Sequence, residues 1–369
     1  MDQVSVLKEQ LRPHLDWHGA RLHFLSLFLL ALLKVRTVNL TEIAQGFGGQ
    51  AKPESSYKRM QRFFRHFQWD EITLAKLILS MLQIPEPWGL SIDRTNWKIG
   101  KHNVNILMLG VVYQGIAIPV MWRFLDKQGN SNTDERIDFI ERFIDEFGDH
   151  RIDYFVADRE FIGADWFFYL KVHTPYRFCI RFKDNTKLGT GKASQKAKVM
   201  FAHLKVGQTQ VLKNKRQIWG ESLYISATRL QDRSFLLIAT PRKPQSALRD
   251  YANRWPIETL FGILKSKGFR LEETHIREAE RLSKLLGLLA LALCWCIKAG
   301  EFQWELKPLK VKKHGRLPKS LFRYGYDYLR HLLLGDMPFD DYCEAVKLLA
   351  MPSPDLYNRP PIFSAPTVT

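Results

Sequence analysis

From Gly89 onward the chain stops repeating at helical spacing and begins to read as strands, and that switch limits the fold more than any other feature of the sequence. "GLSIDRTNW", "NVNILMLGVVYQG" and "IAIPVMWRFL" are three β-branched and apolar runs, joined by short loops near Lys101 and Gly115, as in an antiparallel meander. A helix follows, "TDERIDFIERFIDEFG", with Ile137, Phe139, Ile140, Phe143, Ile144 and Phe147 at helical spacing and Gly148 at its end. Next come a strand "IDYFVAD", a helix "GADWFFYLKV" and a strand "YRFCIRF". Three antiparallel strands followed by alternating helices and strands predict an α/β fold, a mixed sheet covered by helices.

The flanking segments have different patterns. Residues 1–85 read as all-helical. Within them a short helix from Thr41 to Phe47 meets Gly48 and Gly49, and a second helix, Ser55 to Phe67, carries Lys58, Arg59, Arg62 and Arg65 among aromatics. That is the outline of a helix-turn-helix whose second helix is basic enough to lie against DNA phosphates, and equally of an ordinary amphipathic helix with a basic solvent face. The core then runs over 86–183 and resumes over 235–300, interrupted at 184–234 by a Lys-, Gly- and Gln-rich stretch that reads as a β-rich basic insertion. Residues 301–369 form a basic, aromatic C-terminal region suited to DNA contact or dimerisation.

Charge narrows the partners. Lys and Arg number 55 against 38 Asp and Glu, a net charge of +17, which calls for a polyanion and above all for nucleic acid. The longest apolar runs, Leu285–Ile297 and Phe24–Leu33, fall short of the roughly 18 residues of a spanning helix and read as core helices, so no membrane partner is expected. The polar start, without an apolar stretch before a small-residue cleavage site, makes the cytoplasm, in association with the nucleoid, the expected location. Cys179, Cys294, Cys296 and Cys343 lack zinc-ligand spacing and read as reduced structural thiols.

Three acids stand out. Asp93 sits among apolar residues in "LSIDRTN", where a charge is costly unless it faces an opening or a metal. Asp158 ends the strand in "FVADREF", and the carboxyl ends of strands in open α/β sheets are where ligands bind. Each also has a structural reading, as a turn residue or a loop-initiating Asp, and Asp153 and Glu160 are rival acids nearby. The third, Glu258, lies in "YANRWPIETLFGILKSKGF". Taken as one helix, this stretch projects Tyr251, Arg254, Glu258 and Lys265 outward from a single stripe, with Gly262 leaving room beside them. Pro256 should kink or start the helix, and the same spacing also suits a solvated face with an Arg254–Glu258 ion pair. Were the three carboxylates to converge, their hard oxygens would suit two Mg²⁺ or Mn²⁺ ions and in-line phosphoryl transfer.

The whole pattern resembles the bacterial insertion-sequence transposases that cut and paste DNA with a DDE triad on a ribonuclease-H-like core. "IDRTNW" and "VADREF" match the two Asp motifs, and Tyr251, Arg254, Glu258 and Lys265 match the family's Y-(2)-R-(3)-E-(6)-K signature. The resemblance implies that Asp93, Asp158 and Glu258 hold two divalent ions. It implies that Tyr251, Arg254 and Lys265 grip phosphates of the DNA strand end, and that a homodimer acts on double-stranded DNA, both the inverted-repeat ends and a target. It also implies a hairpin intermediate with a flipped base stacked on an aromatic ring, for which Trp219 is the candidate and Trp97 and Trp255 the competitors. A structure-selective nuclease on the same fold and a non-catalytic DNA-binding repressor are the alternatives.

Overall fold

The computed structural model describes residues 2–313, 317–335 and 337–350; parts of the C-terminal region expected at 301–369 therefore lie outside the described residues. The chain divides into two compact units. Among the described residues, one is mainly helical, made of 2–84, 97–104 and those from 261 onward, and the other is built on a sheet, from residues 85–96 and 105–260.

The helical unit begins with α1 (Gln3–Leu11), α2 (Gly19–Val35), α3 (Leu40–Gly46), α4 (Pro53–His66) and α5 (Glu71–Leu82). The two expected helices near 41–47 and 55–67 are α3 and α4, joined through Gly48 and Gly49, whose φ values of 66° and 77° are the left-handed conformation that glycine adopts without a Cβ penalty. Helix α4 buries Met60, Phe63 and Phe64 and leaves Lys58, Arg62 and Arg65 exposed. Arg59 is engaged instead: its guanidinium lies 5.5 Å from the Phe24 ring and donates to the Ala20 carbonyl at 3.5 Å.

The sheet unit starts with the meander β1 (Trp88–Ile99), β2 (His102–Tyr113) and β3 (Ile116–Phe124), followed by α6 (Thr133–Phe147), β4 (Ile152–Ala157), α7 (Ala164–Val172) and β5 (Arg177–Arg181). Helix α6 starts at an Asn132–Glu135 capping box and buries Phe139, Ile140 and Phe143, each worth about 1.5–3 kcal/mol of transfer free energy. The next elements are β6 (Lys187–Leu188), β7 (Gln195–Lys196), α8 (Ala197–Met200), β8 (Thr209–Val211), β9 (Arg216–Ile218), β10 (Glu221–Arg229) and β11 (Phe235–Thr240).

The main sheet has the order β3-β2-β1-β4-β5-β11-β10-β8, with β9 paired to β10. Its first five strands, an antiparallel meander continued by the parallel pairs β1–β4 and β4–β5, have ribonuclease-H-like topology. Within the expected insertion at 184–234, β10 and β8 extend the main sheet through antiparallel pairing of β10 with β11 and of β8 with β10.

After β11 come α9 (Ala247–Ala252) and α10 (Trp255–Gly262), then a π-helical turn over Ile263–Lys267. The single helix expected across residues 251–269 is thus broken, because Asn253 and Arg254 form a turn and α10 restarts with Pro256 in its first turn, where a missing N–H costs nothing.

Within the helical unit, α11 (Ala279–Leu306) runs against α12 (Leu321–Leu334), and α13 (Phe339–Lys347) follows. Helix α11 is long and apolar enough to cross a membrane, longer than its apolar run suggests, but its apolar window is wholly buried inside the protein, as in a core helix. Its buried Lys284 and Lys298 donate to the carbonyls of Phe64 in α4 and Met81 in α5, orphan acceptors at two helix ends. All four cysteines are free thiols, and burial pushes the Cys179 thiol up to about 12.

Helices α11 and α12 touch backbone to backbone at Gly300 and Gly325. A Cβ on Gly325 would stand 1.9 Å from the Cys296 carbonyl oxygen. Gly325→Ala is therefore expected to destabilise the protein by at least about 2–3 kcal/mol, since helix axes rather than a flexible side chain must move. Urea denaturation checks this; an unchanged midpoint would show that the helices do not meet there.

Candidate active site

Strand register assembles the first two acids. Ile92 of β1 pairs with Ala157 of β4 at the end of their parallel ladder, so Asp93 and Asp158, the next residues, emerge side by side from neighbouring strands about 4.8 Å apart. Apolar packing brings in the next element. Helix α9 lies on the sheet with Ala247 and Tyr251 packed among Val156, Cys179, Leu236 and Ile238. From this position the Tyr251 hydroxyl donates to Asp158 Oδ1 at 3.2 Å. Burial raises the phenol's pKa, so it stays a neutral donor.

Arg254 joins the other two acids. Its Nη1 lies 3.4 Å from Asp93 Oδ2 and its Nη2 2.5 Å from Glu258 Oε1, one turn further along α10. Tyr251 thus holds Asp158, and Arg254 joins Asp93 to Glu258. Their expected outward stripe is corrected here: Tyr251 is 2% exposed and Arg254 4%, because the break between α9 and α10 turns them onto the acids. Lys265 belongs to the helical unit, where its ammonium lies 5.6 Å from the centre of the Trp97 ring and 3.1 Å from Glu272.

The rival acids have other partners. Asp153 pairs with Arg177 at 2.9 Å, and Glu160 with Arg94 at 3.3 Å. Trp219, the expected stacking platform, is half-buried with its ring 4.9 Å from that of Phe167 and 6.1 Å from that of Phe182, in a packing role. Of its competitors Trp97 is buried, whereas Trp255 is 43% exposed beneath the Arg254 guanidinium at 5.2 Å.

Sequence reasoning missed the support around the acids. Arg177 of β5 reaches both Asp250 of α9 and Asp153 of β4, and Ser246 donates to Asp250 at 2.6 Å, so this buried clamp fixes α9 on the sheet. Arg94, immediately after Asp93, donates to Asn105 and Asn130 at 3.0 Å and braces Glu160. The only sequence signal for either was an arginine beside an apolar run, without a local partner.

As the side chains stand, no three His, Cys, Asp or Glu residues among those described form a ready metal cage, and a guanidinium stands between Asp93 and Glu258. The donor set is nonetheless one of hard oxygens, the kind that suits Mg²⁺ or Mn²⁺.

Fold and site together define an α/β domain that sets two aspartates side by side where a parallel ladder ends. Residues 85–295, more than half of the chain, match the transposase DDE domain family; the chain belongs to that family and is a DNA transposase. It is similar to a solved piggyBac transposase synaptic complex with hairpin DNA, with a TM-score of 0.47 and 13% identity over 93% of this chain and 75% of that one. No curated protein matches the sequence.

Burial pushes the Asp93 carboxyl up to about 7, Glu160 and Asp158 adding to the rise while the Arg94 backbone N–H and Arg254 oppose it. An unfolded Asp titrates near 4, so between about pH 4 and 7 the folded state holds a proton that the unfolded chain has lost, and stability falls as pH rises through that window. Asp93→Asn removes this penalty. In a metal chelator, its gain in stability is expected to be small at pH 4, to grow to pH 7 and to level off above, on the order of 2–4 kcal/mol by pH 8. Calorimetric melts across the range test this; a gain that is independent of pH would contradict it.

Proposed function

We propose that this transposase cleaves DNA strands at the inverted-repeat ends of its own insertion sequence and joins them to target DNA, with Asp93, Asp158 and Glu258 holding two divalent ions, Mg²⁺ or Mn²⁺. The observation that carries the reading is the pairing of Ile92 with Ala157, which sets Asp93 and Asp158 side by side while Arg254 links Asp93 to Glu258. Family membership and the net charge of +17 support it.

Each residue has a defined task in this reading. The three carboxylates supply the oxygen donors, and Arg254 shares its one positive charge between two of them until a cation takes its place. Tyr251 orients Asp158 through its hydroxyl. When bound, the ions would activate a water or 3′-hydroxyl and stabilise the leaving oxygen. Arg254, once displaced, would then serve the phosphates beside the scissile bond, and Lys265 of the helical unit would hold DNA phosphates in its turn. A first nick frees a 3′-hydroxyl, its attack on the opposite strand gives a hairpin, and reopening precedes joining to the target. Two copies would act as a homodimer on the two ends, with the exposed Lys58 and Arg62 of α4 contacting DNA.

The test uses purified protein, Mg²⁺ and a labelled fragment carrying the flanking inverted repeat. Wild type is expected to give end-specific nicks and hairpins. Asp93→Asn, Asp158→Asn and Glu258→Gln should each lose cleavage by a factor on the order of 10³ or more while still retarding the fragment. Retardation without cleavage by wild type would favour the repressor, and cleavage of branched DNA regardless of its ends would favour the nuclease.

A further inference from the structure

Outside the acids, the sheet unit carries a basic trough beside β5. It consists of two adjoining cavities that share Asp184, Ser234 and Phe235 in their walls. Six cations line it: Arg159 and Arg181, Lys183, Lys198 at α8, and Arg229 and Arg233 at the β10–β11 turn. Its lining holds a single carboxylate, Asp184. Like charges crowded in this way repel one another unless an anion lies among them.

The trough leads to the acids. Arg159 directly follows Asp158 in the chain, and Arg181 Nη1 lies 3.9 Å from Asp158 Oδ1. At the other end, the Arg229 guanidinium stacks 4.1 Å from the centre of the Phe235 ring, which fixes its direction, while Lys183, Lys198 and Arg233 are exposed. The extension of the sheet by β10 therefore continues a line of positive charge away from the catalytic end of β4.

We propose that this trough is a track for the phosphodiester backbone of duplex DNA, extending the contact from Asp158 across β5 to the β10–β11 turn without reading sequence. The inference rests on the transposase reading of the site. Lysines and arginines on a phosphate backbone position the duplex but carry no sequence information, so binding through the trough is salt-dependent and indifferent to sequence.

The full-length protein would be titrated against a fluorescent duplex of arbitrary sequence at several salt concentrations. Removing one cation from its phosphate should make the slope of log affinity against log salt shallower by about 0.9. Lys183→Gln, Lys198→Gln and Arg233→Gln are each expected to lower it by about that much, and the triple variant by about 2.7, with unchanged thermal melts. Arg142→Gln, on the exposed face of α6, should leave the slope unaltered. A triple variant with the wild-type slope, or an equal loss with Arg142→Gln, overturns the proposal while leaving intact the cleavage that defines the enzyme. Wild type that binds no duplex at any salt concentration overturns the transposase reading itself.

Discussion

The structure around the site depends on one constraint: the parallel ladder between β1 and β4 ends with Ile92 opposite Ala157, and the next residue of each strand's chain is an aspartate. Packing charges this closely at the edge of an apolar sheet is costly, because carboxylates taken from water lose solvation and repel one another. The raised titration of Asp93, to about 7, records that cost. Arg254 reduces it by sharing its guanidinium between Asp93 and Glu258, and the Tyr251 hydroxyl does the same for Asp158 without adding charge. In the proposed reading, a divalent ion would take the place of the Arg254 guanidinium between Asp93 and Glu258.

The position of that cation depends on a second layer of support. Tyr251 and Arg254 flank the break between α9 and α10, and α9 is held by apolar contacts with Val156, Cys179 and Ile238 on one side and by the Arg177–Asp250 clamp on the other. A buried ion pair of this sort adds little net stability but strongly penalises any arrangement that separates it, which suits a helix that must not slide. The sequence-distant Arg177 thus acts on the acids through α9, without touching them.

Much of this was legible in the sequence. The strands of the meander, the capped helix α6 and the strands β4, β5 and β11 announced themselves through apolar runs with turn residues at their ends, because each obeys a local rule. Asp93, Asp158 and Glu258 stood out as an ordered set of motifs, and the register of β1 on β4 sets the first two side by side. What was not legible is non-local. Strand β8 has three residues, too few for any period to show, and its membership of the main sheet is decided by β10. The inward turn of Tyr251 and Arg254 depends on the two-residue break before α10, and helical spacing drawn straight across it placed both on the solvent face. The tie of Arg177 to Asp250 spans 73 positions, and nothing local marks either partner.

The central claim is that these three acids together form a divalent-cation site guarded by Arg254. Titrating Mn²⁺ into the purified protein at pH 8, with free ion followed by electron paramagnetic resonance, tests it most directly. Saturable binding to wild type, weakened at least about tenfold in Asp93→Asn and again in Asp158→Asn, is the expected result. Variants that bind Mn²⁺ as tightly as wild type would contradict it.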